Sequence, residues 1–232
     1  MLGKACASLM LGLIPIGTFG LAGAAHAADW SGYASVATDY RYRGVSLLNS
    51  GPALQGGVEG RFDDTWLFGA DAARVDRQWT YHEAVPEHLQ VELHAGADFG
   101  CGADCRARVL LTRYMLPGPG GRDWTEASVS LALFARTGVA YSYSQQGLGL
   151  PFRTRSAEAW FEQPLPAGAV LELSYGQVEV NDFDYGYARA GVSRRFGRLV
   201  ADLALHWSDH ALRRIASDEH ATHAVLTLST AF

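Results

Sequence analysis

Between Ser31 and the C-terminal Phe232, apolar and polar residues alternate with a period of two in run after run, and no window shows a convincing helical period. Over 89–99 the odd positions Leu89, Val91, Leu93, Ala95, Ala97 and Phe99 are apolar, while Gln90, Glu92, His94, Gly96 and Asp98 are polar or small. Leu199, Ala201, Leu203, Leu205 and Trp207 oppose Asp202 and His206 in the same manner, and Ala127, Val129, Leu131 and Leu133 oppose Glu126, Ser128 and Ser130. Successive side chains of a strand point to opposite faces, so each run is a strand with one apolar and one polar face. About twelve runs can be counted, near 31–42, 52–62, 65–75, 88–99, 105–114, 123–135, 137–145, 154–163, 168–180, 184–196, 198–209 and 219–232. No shift of composition marks a linker, so one β domain is expected over 28–232.

The connections alternate in length. Those at 63–64, 100–102, 136, 164–166 and 197 are short, whereas 44–51, 76–87, 115–122, 146–153 and 210–218 are longer. An even number of long strands with short turns at one end and longer loops at the other is the layout of a closed antiparallel transmembrane β-barrel with periplasmic turns and extracellular loops. Twelve strands are expected, with ten as the alternative count. Closure removes the sheet edges, which hydrocarbon cannot solvate. A soluble β-sandwich is the competing architecture, but its outward faces are polar, and here one whole face is Leu, Val, Ala, Phe, Tyr and Trp with small residues between them.

Residues 1–27 begin with one cation, Lys4, run apolar from Ala7 to Ala24, and end at Ala25-His26-Ala27, an A-x-A site, so a cleaved signal peptide is expected there. No later stretch reaches the roughly 18 apolar residues of a membrane helix. Barrel, leader and outer-membrane localisation therefore belong together. With 24 acidic against 19 basic residues and a net charge of −5, nucleic acid is not an expected partner. Of the cysteines beyond the leader, Cys101 and Cys105 bracket Gly-Ala-Asp in a turn-like segment of an exported chain, which favours a disulfide. The alternative, a metal pair, lacks further ligands at a suitable spacing. Neither metal nor cofactor is expected, since P-loops, dinucleotide fingerprints and calcium loops are absent.

With the apolar face turned to lipid, the other face carries both signs of charge into the lumen. Arginine facing hydrocarbon at the bilayer midplane costs about 2–4 kcal/mol. Asp39, Arg41 and Arg43 are therefore expected to point inward, opposite Val36, Thr38, Tyr40 and Tyr42. They would form a polar cluster with Gln55, Glu59 and Asp71, with the last two supplying carboxylates to the guanidiniums. Tyr40, Tyr42, Phe62, Trp66, Tyr143, Phe161, Phe196 and Trp207 lie near strand ends on the apolar face, as an aromatic girdle requires.

The stretch Thr38-Asp39-Tyr40-Arg41-Tyr42-Arg43-Gly44-Val45-Ser46, followed by Gly51-Pro52-Ala53-Leu54-Gln55-Gly56-Gly57, resembles the N-terminal hallmark of the Gcw_chp family, an S/T-D-Y-x-x-R-G stretch followed by P-A-x-Q-G. That resemblance implies an exported bacterial protein of outer-membrane barrel type with no assigned function, and it covers the first two strands most closely. The last strand places Ala224, Leu226, Leu228, Thr230 and Phe232 on one face and stops at the aromatic, similar to the signal read by the outer-membrane barrel assembly machinery. That machinery and outer-membrane lipid are the expected partners.

Three functions compete: a narrow porin-like channel for small polar solutes, which is favoured, a structural or adhesive barrel with a filled lumen, and a lipid-modifying enzyme. The third has the weakest support, because His94, His206 and His223 sit in no motif that fixes a nucleophile and base together.

Overall fold

The structure, a computed structural model, describes residues 29–48, 51–75, 88–117, 123–149, 151–181, 183–211 and 222–232. The leader expected over 1–27 lies outside the described residues. So do parts of the expected longer loops, 49–50, 76–87, 118–122 and 212–221.

Period-two alternation gives strands almost throughout: β1 (Asp29–Ala37), a short pair β2 (Arg41–Tyr42) and β3 (Val45–Ser46), then β4 (Ala53–Phe62), β5 (Trp66–Val75), β6 (His88–Gly102) and β7 (Cys105–Met115). The second half adds β8 (Trp124–Leu133), β9 (Thr137–Ser144), β10 (Thr154–Pro164), β11 (Ala169–Val180), β12 (Phe183–Phe196), β13 (Leu199–Ser208) and β14 (His223–Ala231). All but β2 and β3 join one closed antiparallel barrel of twelve strands, each paired with its sequence neighbours. Among the described residues no helix is long and apolar enough to cross a membrane.

Closure depends on β1, which pairs with β4 through Ser35↔Gln55 and Tyr33↔Gly57 and with β14 through Ser35↔Ser229 and Tyr33↔Ala231. The terminal residue completes the seam. Gly32 N–H donates to the Phe232 carbonyl at 2.8 Å, and Phe232 N–H donates to that of Gly32 at 2.9 Å. A side chain at Gly32 would meet the Phe232 ring.

The barrel is inverted relative to a soluble domain. Leu54, Leu93, Leu111, Val139, Leu173, Leu203 and Leu226 lie exposed on its outer surface, whereas Asp71, Glu92, Asp98, Glu126 and Glu172 are buried inside. Phe62, Trp66, Tyr143, Phe161, Phe196 and Trp207 are exposed near strand ends, as a girdle requires. Tyr40 and Tyr42 are a correction, because each is only 5% exposed and lies in the lumen. The reason is that the first barrel strand ends at Ala37 instead of running on to residue 42, and the chain then turns inward.

Candidate functional site

The inward segment is a hairpin. Tyr42 pairs with Val45 and Arg41 with Ser46, so Arg43 and Gly44 form a two-residue turn, with φ of 49° and 82° respectively. Positive φ at both central positions is the requirement of the tight turns that match strand twist, and glycine meets it without strain. Leu47 N–H closes the base by donating to the Tyr40 carbonyl at 2.7 Å. A β-carbon on Gly44 would lie 2.8 Å from Cβ of Tyr187 and 3.2 Å from that of Ser208, so the hairpin tip rests directly against β12 and β13.

Tip and base are anchored across the lumen. The Arg43 guanidinium donates two hydrogen bonds, both 2.7 Å, to the carboxylate of Glu126 on β8, in the planar fork geometry that arginine offers a carboxylate. The Tyr42 hydroxyl donates to the same carboxylate at 3.3 Å, and the Tyr40 hydroxyl donates to Glu92 on β6 at 3.3 Å. Arg43 also lies over the Tyr42 ring, 4.7 Å from its centroid, while Tyr114 stacks on Trp124 at 4.4 Å. Apolar side chains of the segment, Val45, Leu47 and Leu48, pack with Val75, Val178, Val180 and Tyr185 where the strands meet the longer connections. This end of the lumen is filled.

Below the hairpin the walls differ. Along β4 to β7, His94 lies 3.3 Å from Asp71 and 3.7 Å from Glu59, Arg61 bridges Glu59 (3.0 Å) and Asp98 (2.9 Å), and Arg108 reaches Asp98 at 2.6 Å. Gly57 makes this packing possible, since a β-carbon there would overlap the Asp71 carboxylate. The adjoining wall presents small hydroxyls, Ser128, Ser130, Ser142, Ser144 and Ser156, all buried. On the far side Arg189 of β12 bridges Glu172 and Asp202, the latter at 2.6 Å, and the Tyr187 hydroxyl donates to Glu158 at 2.5 Å. Between hairpin and serine wall a cavity of about 50 Å³ remains, with Ser142, Ser156, Ser174, Glu158 and Arg189 in its lining. That volume holds a few waters at about 10–15 Å³ each.

The residues singled out in the sequence do not form one cluster. Asp39, Arg41 and Ser46 close on one another, with Arg41 Nε 2.8 Å from Asp39 and the Ser46 hydroxyl donating to Asp39 at 2.6 Å. Arg43 goes to Glu126. Glu59 and Asp71 do not reach the hairpin guanidiniums, because His94 and Arg61 already occupy them. Gln55 faces the lumen from β4, in register with Ser35 and Ala73. The partner missed in the sequence is Glu126. Its inward face was legible, yet its meeting with Arg43 spans 83 residues. Cys101 and Cys105 are joined by a disulfide across the β6–β7 turn, with α-carbons 5.0 Å apart. Among the described residues no group of three or more His, Cys, Asp or Glu is placed to hold a metal ion.

The profile of Gcw_chp, described as a bacterial protein of unknown function, matches residues 21–200. The chain belongs to the Gcw_chp family. No curated protein sequence matches it. Among solved structures it is similar to the KdgM porin, with a TM-score of 0.54 and 7% identity over 87% of this chain and 99% of the porin. It is likewise similar to the KdgM porin in complex with disordered oligogalacturonate, with a TM-score of 0.54 and 7% identity over 88% of this chain and 99% of that one. At that identity the likeness is one of fold. This Gcw_chp chain shares with the porin a closed barrel, and the hairpin and ion pairs above are described from its own residues.

Proposed function

We propose that this Gcw_chp protein is an outer-membrane channel for small polar solutes, closed in the conformation described here by the hairpin of residues 38–48. The observation that carries the reading is the inverted barrel, apolar outside and charged inside, with a small polar cavity directly beneath the hairpin. An apolar exterior of this extent matches lipid, and a lumen lined by carboxylates, guanidiniums and hydroxyls matches water. The fold shared with a porin supports it. On this reading the short turns face the periplasm, the longer connections face outward, the leader over 1–27 is removed on export, and the Phe232 strand engages the assembly machinery.

A second reading, a structural barrel with a permanently filled lumen, draws on the apolar packing of Val45, Leu47 and Leu48. Purified protein in planar bilayers separates the two. The channel reading expects discrete conductance steps, more frequent in the charge-neutral double variant Arg43→Gln/Glu126→Gln, which removes the pair holding the hairpin tip. A folded double variant that gives no steps decides for the filled barrel.

A further inference from the structure

The lumenal charges are not balanced evenly around the barrel. On the β4–β7 wall the bases and carboxylates are interleaved: Arg61, Arg106 and Arg108 share Asp98, Arg61 also reaches Glu59, and His94 lies between Glu59 and Asp71. On the β10–β13 wall, among the described residues, carboxylates outnumber guanidiniums on the lumenal face, Glu158, Glu162, Glu172 and Asp202 standing beside Arg189 and Arg195. Arg189 is shared by Glu172 and Asp202. Glu162 stands directly opposite Glu172 in the β10–β11 register, with both side chains on the lumenal face. Glu158 occupies that face four residues away and receives the Tyr187 hydroxyl. Directly opposed like charges destabilise a sheet unless a counter-charge or water lies between them. Arg195, also on the lumenal face of β12, stands at the short-turn mouth, in register with Val200.

A second observation concerns the cavity into which this wall opens. Ser142 lines it together with Glu158, is 1% exposed, and its hydroxyl has no hydrogen-bond partner among the described residues. Ser156 and Ser174 add two further oxygens to the lining. The guanidiniums that border the cavity are already engaged: Arg41 with Asp39, Arg43 with Glu126, and Arg189 with Glu172 and Asp202.

We propose that the β10–β13 wall is the path of permeating solutes and makes the channel selective for small monovalent cations, alkali ions or primary ammonium compounds, with Glu158 and Glu162 as the residues that set the preference and the serine-lined cavity as a transit site. The inference rests on the channel reading. Rings or rows of carboxylate in a narrow pore favour cations by the field they place on the path, and neutralising them weakens that preference. Screening acts in the same direction, because the Debye length falls from about 10 Å at 0.1 M salt to about 3 Å at 1 M.

The test is the reversal potential across planar bilayers under an approximately tenfold KCl gradient, read for the wild-type barrel and for the charge-neutral Arg43→Gln/Glu126→Gln barrel. Both are expected to favour potassium over chloride, and Glu158→Gln/Glu162→Gln in either background is expected to reduce the permeability ratio by roughly two-fold or more. The wild-type ratio should also fall as symmetric salt is raised, a measurement that needs no variant. Conduction that prefers chloride, or a ratio unchanged by both the carboxylate substitutions and salt, overturns the selectivity and leaves the channel reading standing. Folded barrels that conduct in none of these forms overturn both.

Discussion

Glu126 shows how a single lumenal residue is tied to the stability of the barrel. Its carboxylate accepts two bonds from Arg43 and one from Tyr42, with side-chain exposures of 4% for Glu126 and 7% for Arg43. Removing one member of a buried pair strands the other, at about 3–5 kcal/mol. Glu126→Ala should therefore lower the unfolding midpoint of the detergent-solubilised barrel in urea by an amount equivalent to about 3 kcal/mol. Asp123→Ala breaks the Arg113–Asp123 pair, whose side chains are 47% and 41% exposed. Exposed pairs contribute at most about 1 kcal/mol, so that variant should unfold close to wild type. Equal losses in the two would show that the Arg43–Glu126 contact is solvated. The inward direction of Glu126 was legible from its alternation with Ala127 and Val129, since a strand with one apolar face puts its charged residues on the other. Its partner was not, because alternation gives the face of a residue and carries nothing about what lies across the lumen. Choosing Glu59 and Asp71 by nearness in sequence failed for that reason.

At the scale of elements, the strands were legible within a few residues except the first. Tyr40-Arg41-Tyr42-Arg43 continues the alternation of β1 without a break, so the sequence reads as one strand through residue 42. A hairpin inside a barrel has no lipid-facing side, however, and both of its faces are buried: Tyr40 and Tyr42 on one, Asp39 and Arg41 on the other. The available signal was Arg43-Gly44, a turn pair with glycine at its second position, flanked by alternating residues. The β6–β7 turn is a contrasting element. There Gly102 and Cys105 are paired in the ladder, so the turn is closed by backbone pairing before the disulfide adds anything. A loop this short restricts the unfolded chain little, and the chain-entropy account gives about 2 kcal/mol or less for it. Cys101→Ser/Cys105→Ser should fold into a heat-modifiable barrel and lose no more than that in urea. Failure of this variant to assemble in the outer membrane would mean that the disulfide acts during folding.

For the whole molecule, one physical condition explains why twelve strands, closure and an inverted surface were readable together. On the outer-membrane reading every strand borders lipid and must keep one apolar face, so the period recurs in run after run from Ser31 to Phe232, and each strand in a closed barrel has two partners. State of the lumen is different. Whether a barrel of this size is open depends on where one connection lies, and connections carry no such constraint. On the channel reading, residues 38–48 close a lumen that would otherwise conduct. The hydrogen bond from Leu47 N–H to the Tyr40 carbonyl, 2.7 Å, already brings the hairpin base together. Residues 41–46 can therefore be replaced by two glycines without stretching the chain. Single-channel conductance of this variant beside wild type, with folding of both checked by migration on unboiled gels, is the most direct measurement: larger, steadily open steps in the excised barrel are predicted, and equal conductance in two folded barrels would contradict the account.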